Sequence, residues 1–260
     1  MNNLEKNIID VLSDLYKNYH VRSVKAEFEA EGAKFEEVLK LKTIVKSIGL
    51  GLCLKISGAE AIRDLYDARA IGVSSVIAPM IETPYAMKKF VKAIKAVFLE
   101  EERKNIGFYI NIETITGFNN LNDIISSKEF AEINGIVLGR TDMIGSLGLE
   151  KYEIDSDSIL NIAKIISNKL LYENKIFTIG GGISPDSVSF LKKIIKLDNF
   201  ETRKVIFEAK PALNNLNIEQ GIRKALEFET LWLKYKKEFN GVVFESDEKR
   251  LELLNSMLRK

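Results

Sequence analysis

Short runs of apolar and β-branched residues alternate along the chain with longer stretches whose apolar positions recur every three or four residues. Val21 to Phe28, Leu50 to Ile56, Val73 to Ala78, Ile106 to Ile112, Ile136 to Leu138, Lys175 to Ile179 and Val205 to Phe207 read as strands. Residues 35–47, 60–71, 84–98, 117–131, 156–172 and 185–196 carry the helical spacing between them. Near the start, Leu4, Ile8, Val11, Leu12 and Leu15 share one helical face. Between Asn217 and Asn240 a second long stripe holds Ile218, Ile222, Ala225, Leu226, Trp232 and Leu233, interrupted by Glu229.

Strands that alternate with helices imply right-handed crossovers and a parallel sheet, so the pattern predicts an α/β fold of the (β/α)8 TIM-barrel type. Only seven strands are recognisable. Either an eighth is hidden, for instance near the N-terminus, or the barrel is permuted or incomplete; a doubly wound open sheet is the rival architecture. No linker, composition shift or low-complexity segment divides the chain. Residues 1–260 therefore read as one barrel domain with an N-terminal helix over 1–19 and a C-terminal helical segment over 215–260. That segment packs on the core, caps the barrel or docks on a neighbouring subunit.

Composition excludes more than it assigns. At 260 residues, 46% hydrophobic and 29% charged, the chain can bury a full core. Its 38 basic and 37 acidic side chains balance, which argues against a nucleic-acid partner. Cys53 stands alone inside an apolar run, as expected of a buried inert thiol in a reducing compartment. The first twenty residues are charged and amphipathic, unlike a signal peptide, and no stretch approaches the roughly 18 apolar residues of a spanning helix. A cytoplasmic protein with no membrane partner is the expectation.

In a parallel barrel the chemistry collects where strands end, because the following loops bring side chains from different strands together. Those ends carry Glu27 and Glu29 in VKAEFEAEG, Lys55 in LCLKISG, Glu82 in APMIETP, Glu113 in INIETITG and Asp142 in GRTD. Further on come Gly180, Gly181 and Gly182 in IGGGISPDS, and Glu208 with Lys210 in VIFEAKP. Taken singly, each acid reads equally as the partner of a surface lysine or as a helix cap. Glu113 and Asp142, however, lie on consecutive strands, and neighbouring strands are about 4.8 Å apart. Two carboxylates confined there call for a cation, and a small set of hard oxygens suits Mg²⁺ or Mn²⁺.

The order DARAIGVSSVIAPMIETPYA, INIET and GIVLGRTDMIGSLGL resembles the class II 2-oxo acid aldolase and citrate lyase β-subunit superfamily, from about Val24 to Leu149. The resemblance implies that Glu113 and Asp142 ligate the metal, which chelates a 2-oxo acid and stabilises the enolate left when a carbon–carbon bond breaks. It further implies that the Gly139, Arg140 and Thr141 turn holds the substrate carboxylate on backbone N–H groups, and that the protein is a homo-oligomer.

Departures from the family pattern bear on the chemistry. Lys55 stands where the family has an arginine; it keeps the charge but loses the planar two-pronged donor. Glu29 matches a family glutamate, yet the histidine that follows it there is Ala30 here, so Glu27, Glu29 or Glu82 is left to move protons. His20, the single histidine, precedes the first strand and is expected on the opposite face. Three glycines after a strand, with Ser184 and Pro185 opening a helix, suggest a site for a phosphate or other anionic substrate end, assisted by Lys210. Arg203 and Lys204 lie at the start of their strand and are expected away from the chemistry.

The leading expectation is a metal-dependent carbon–carbon lyase or aldolase acting on pyruvate or a related 2-oxo acid and a second carbonyl or phosphorylated substrate. A phosphoenolpyruvate- or acyl-thioester-using barrel enzyme is the alternative, and a non-catalytic barrel kept for binding or assembly is the third.

Overall fold

Strand β1 (Val21–Glu27) alternates between two environments. Val24 and Ala26 join the main apolar core shared with the helices, whereas Ser23, Lys25 and Glu27 face the inside of a cylinder. The same period of two runs through β2 (Gly51–Lys55), β3 (Ser75–Ala78), β4 (Gly107–Ile112), β5 (Gly135–Gly139) and β6 (Ile176–Gly180). Two short strands, β7 (Asn199–Glu201) and β8 (Val205–Glu208), complete an eight-stranded closed barrel in chain order. A small inner core of Cys53, Ile77, Val137 and Ile206, with Tyr109 against it, plugs the barrel. The computed structural model describes residues 3–240 and 245–258; of the two expected terminal helical segments, positions 1–2, 241–244 and 259–260 lie outside the described residues.

Helices α1 (Asn3–Tyr19), α2 (Phe35–Ile48), α3 (Ile62–Ile71), α4 (Pro84–Val97), α5 (Glu100–Arg103), α6 (Ile115–Asn119), α7 (Leu121–Ser126), α8 (Arg140–Ser146), α9 (Asp157–Leu170), α10 (Val188–Leu191) and α11 (Ala209–Asn214) connect or flank the strands. The expected helix over 117–131 is broken into α6, α7 and a 3₁₀ turn, and the one over 185–196 shrinks to a 3₁₀ turn and α10. The long α12 (Ile218–Asn240) lies against α1, so closely that a Cβ on Gly221 would sit 2.4 Å from the Tyr19 ring. A final helix, α13 (Glu245–Leu258), returns to pack Leu254 on Leu226 and Leu233. None of the described helices is long and apolar enough to cross a membrane.

The strand missed in sequence is β7, which lies late in the chain and not near the N-terminus. It pairs with β8 as an antiparallel hairpin, and β8 runs antiparallel to β1 as well. Three residues, Thr202 to Lys204, separate the two strands, too few for the crossover that a parallel pair needs. Thr202 closes the turn: its N–H donates to Val205 O at 3.0 Å, and its Oγ1 accepts from Val205 N–H at 3.2 Å. Phe200 and Phe207 stack across the hairpin with centroids 4.7 Å apart.

Reversal of β8 exchanges the two barrel ends for every residue on it. Glu208 and Lys210, expected at the rim with the other strand ends, lie at the opposite end, where Glu208 N–H bonds His20 O at 2.9 Å. Arg203 and Lys204, expected away from the chemistry, are carried to the mouth. Lys204 is buried there, and both pair with Glu31. His20 is exposed at the lower end, as expected.

Candidate active site

Glu113 follows β4 directly and is 2% exposed. Its Oε1 accepts from Met80 N–H at 2.9 Å; its Oε2 accepts from Asn111 Nδ2 at 2.6 Å and Lys55 Nζ at 3.2 Å. Met80 reaches it from a left-handed backbone conformation, φ 49°, which costs a non-glycine residue about 1 kcal/mol. Gly139 ends β5 because Glu113 lies over it: a Cβ there would stand 2.7 Å from Glu113 Oε2. The close approach that this glycine permits is therefore to a carboxylate of the neighbouring strand.

Asp142 sits in the first turn of α8 with an edge open to solvent. Desolvation at the rim and then the Glu113 charge raise its carboxyl above the usual range, against the lowering effect of Lys55; the two carboxyls line the same cavity. Among the described residues no group of three or more His, Cys, Asp or Glu side chains is arranged to hold a metal ion. The set is instead two carboxylates with a surplus of negative charge, which fits a hard dication that keeps water or substrate oxygens as its remaining ligands.

Lys55 ends β2, 6% exposed, with its ammonium 2.7 Å from Glu29 Oε2 and 3.2 Å from Glu113 Oε2. Burial would lower its pKa, but Glu113 and Glu29 outweigh burial and raise it. It is a permanent cation and no proton carrier. Glu27 meets Lys25 at 3.1 Å; burial acts to raise it, yet Lys25 and Lys204 prevail and hold it at about 2. A group that stays ionised to such a low pH is a poor general base at neutrality. Glu82 accepts from Thr114 Oγ1 and lies outside the cavity.

The glycine loop is explained by packing. A Cβ on Gly180 would lie 2.8 Å from Glu201 Oε1, and one on Gly182 would lie 2.3 Å from Ile154 Cδ1. Gly181 has φ 79°, and its Cβ would stand 2.6 Å from Thr141 N and 2.8 Å from Arg140 N, filling the space in front of that turn. The Arg140 side chain is fully buried and turned away from the cavity. It donates to Gly180 O at 3.2 Å and Gly181 O at 2.7 Å, pairs with Asp155, and lies over the Phe190 ring. Only the backbone of Arg140 is left to meet a ligand. Lys210 lies far below, in a separate depression of about 960 Å³ with Arg22 and Asp198.

Glu27, Glu29, Lys55, Glu113 and Asp142 surround a cavity of about 550 Å³ at the mouth of the barrel. Its floor holds Lys25, Asn111 and Glu201 and its upper wall holds Ile154, Ile183, Leu226, Leu253 and Met257, the last two from α13. Arg250 fixes α13 by donating Nε and Nη2 to Glu229 at 2.6 and 2.8 Å. Sequence reasoning missed Lys25, Asn111, Glu201, Arg203 and Arg250. Lys25 was detectable as the middle of an inward Ser23, Lys25, Glu27 row; Glu201 gave no signal because its strand is three residues long.

Residues 54–169 match the family model of HpcH/HpaI aldolase/citrate lyase, in agreement with the resemblance read from the motifs. The match supports a lyase or aldolase function. No curated protein sequence matches the chain. Among solved structures, an HpcH/HpaI aldolase/citrate lyase family protein from Burkholderia cenocepacia is similar at a TM-score of 0.60 and 12% identity, covering 76% of this chain and 82% of its own. An HpcH/HpaI aldolase from Desulfitobacterium hafniense gives 0.59 and 11%, with 77% and 83% covered. The citrate synthase SbnG gives 0.59 and 16%, with 75% and 81% covered. At these identities the likeness shows the fold.

Proposed function

With an aldolase/citrate lyase segment at residues 54–169 as its premise, we propose that this chain is a divalent-metal-dependent carbon–carbon lyase or aldolase that works through the enolate of pyruvate or a related 2-oxo acid. The observation that carries the reading is the convergence of Glu113 and Asp142 beside Lys55 at the barrel mouth. Glu113 and Asp142 would hold Mg²⁺ or Mn²⁺. Such an ion, when bound, supplies electrophilic stabilisation of the keto oxygen.

The chain's own groups do the rest. The N–H groups of Arg140 and Thr141 bind the substrate carboxylate in the space that Gly181 leaves open. Lys55 holds a fixed positive charge next to the developing enolate oxygen and favours it without having to reorganise. Glu29, a quarter exposed and 2.7 Å from Lys55, takes and returns the proton, a task for which Glu27 is too acidic. Leu253 and Met257 exclude water from above. A reducing cytoplasm suits Cys53, whose buried thiol is pushed up to about 12, and a homo-oligomer belongs to the same reading.

The test is exchange of the pyruvate methyl protons with solvent deuterium, followed by NMR with Mg²⁺, with Mn²⁺ and with EDTA. Exchange is expected only with metal, and Glu113→Gln and Asp142→Asn are expected to abolish it. Metal-independent exchange, or variants that behave like the parent, would refute the assignment.

A further inference from the structure

The interior of a barrel of this type is ordinarily filled by layers of bulky side chains. In the lower half of this one, inward positions near the strand starts are small or polar instead: Ser23 pairs in register with Gly51, Ser75 with Gly107 and Thr178 with Asn199. They leave a second chamber of about 230 Å³ beneath the plug of Cys53, Ile77, Val137 and Ile206, on the side away from the mouth. Arg22, which is exposed and also lines the outer depression at this end, stands at its entrance.

The chamber is polar on one side and apolar on the other. Glu201 lines it and is only 3% exposed; its Oε1 takes the Lys25 ammonium at 2.6 Å, and its Oε2 has no hydrogen-bond partner. Thr178 Oγ1 accepts from Asn199 Nδ2 at 3.3 Å and keeps its own proton to donate, while Ser23 and Tyr109 bring rotatable hydroxyls. Burial pushes the Tyr109 phenol up and the Cys53 thiol up to about 12, so both stay neutral. Ile77, Val137 and Ile206 supply the apolar side.

Water alone suits such a chamber poorly, since a buried water needs two to four polar partners and one lying against the apolar side finds them in one direction only. An ion suits it no better: a cation would face Arg22 and Lys25, and an anion would face the unpartnered Glu201 oxygen. A molecule with hydroxyls along one edge and C–H groups along the other matches both surfaces. We propose that this lower chamber binds a small neutral polyol, whose hydroxyls donate to Glu201 Oε2 and bond the Ser23 and Thr178 hydroxyls while its carbons pack against Ile77, Val137 and Ile206. The site is separate from the reaction centre and does not depend on the enolate reading.

Glycerol and 1-propanol, equal in carbon number, are the probes. With the full chain, in the absence of pyruvate and metal, titration followed by ligand-observed saturation-transfer NMR is expected to show saturable glycerol binding with a Kd in the millimolar range, which a molecule of this size can supply. 1-Propanol is expected to bind at least about tenfold more weakly, because it leaves buried oxygens unpaired. Ser23→Leu fills the chamber and is expected to abolish glycerol binding. Should that variant fail to fold, Thr178→Val, which removes one hydroxyl at nearly constant shape, is expected to weaken binding at least about threefold. Absence of saturation, equal binding of the two probes, or glycerol binding that these variants leave unchanged would overturn the site and assign the chamber to water.

Discussion

The Lys55 ammonium lies 3.2 Å from Glu113 Oε2, and both side chains are almost wholly shielded from solvent. Removing one partner of a buried pair leaves the other charge uncompensated, at a cost of about 3 to 5 kcal/mol. Lys55→Met is therefore expected to lose about 3 kcal/mol of stability and at least about a hundredfold in turnover. Lys55→Arg keeps the charge and is expected to fall between. Denaturant unfolding and pyruvate exchange measure the two effects, and a Met variant within a few-fold of the parent would remove Lys55 from the site.

Asp142 gives a prediction of opposite sign. Its carboxyl is raised by desolvation and by Glu113, so between its ordinary value near 3.8 and its value in the fold the folded chain binds more protons than the unfolded one. Stability contributed by this group falls as pH rises through that window and stays lowered above it. In EDTA at neutral pH, Asp142→Asn is expected to be more stable than the parent, by less than about 1 kcal/mol because the group keeps a solvent-exposed edge. Added Mg²⁺ or Mn²⁺ is expected to raise the melting temperature of the parent but not of the variant. A parent that the ions do not stabilise would contradict the two-carboxylate site.

Glu27 behaves in the contrary way. Lys25 and Lys204 hold it at about 2 in spite of its burial, so its stabilising contribution is complete above its ordinary value of 4.5 and is lost as pH falls from there toward 2. Acid unfolding of the parent is expected to steepen in that window. Glu27→Gln, followed by circular dichroism, is expected to flatten the curve there; an unchanged acid transition would mean that the pairing contributes nothing.

Most of this architecture was legible because six of the eight strands are apolar runs flanked by amphipathic helices, a pattern with few other solutions. Glu113 and Asp142 were legible for the same reason: each sits where a clear strand stops. Glu201 was not, because Asn199–Glu201 is three residues with one aromatic among two polar side chains. That gap had a second consequence. Without β7, nothing in VIFEAKP reveals that β8 runs backwards, and Lys210 was assigned to the wrong end while Arg203 was dismissed. The expectation for Arg140 concerned its backbone N–H alone; its guanidinium is buried against Asp155 and Phe190.

Gly181 separates space from conformation. A methyl there would meet Thr141 N at 2.6 Å, and φ 79° is strained for any residue with a Cβ. Gly181→Ala is expected to destabilise the fold by about 1 to 2 kcal/mol and to raise the KM for pyruvate, because it fills the space before the Arg140 and Thr141 amides. Gly58→Ala, with nothing within 4 Å, is the matched control and is expected to change stability by less than about 0.5 kcal/mol. Calorimetry and steady-state kinetics decide; unchanged pyruvate affinity in Gly181→Ala would move the carboxylate elsewhere.

Helix α13 covers the cavity and is tethered by two ion pairs among the described residues, Arg250 to Glu229 and Asp247 to Lys236. Glu229 is buried with its carboxylate held by the Arg250 fork at 2.6 and 2.8 Å, Asp247 meets Lys236 at 3.1 Å, and Leu254 packs on Leu226 and Leu233. Arg250→Ala strands the Glu229 charge, and the protein can relieve that cost by letting α13 lift so that water reaches the carboxylate. Local opening of the helix, and not global unfolding, is the cheaper response. Amide exchange is therefore expected to accelerate over residues 245–258 with little change in β1 to β6. If Leu253 and Met257 exclude water from the enolate, the same variant is expected to keep pyruvate proton exchange while losing carbon–carbon bond formation. Acceleration spread evenly across the barrel would instead make α13 part of the global fold.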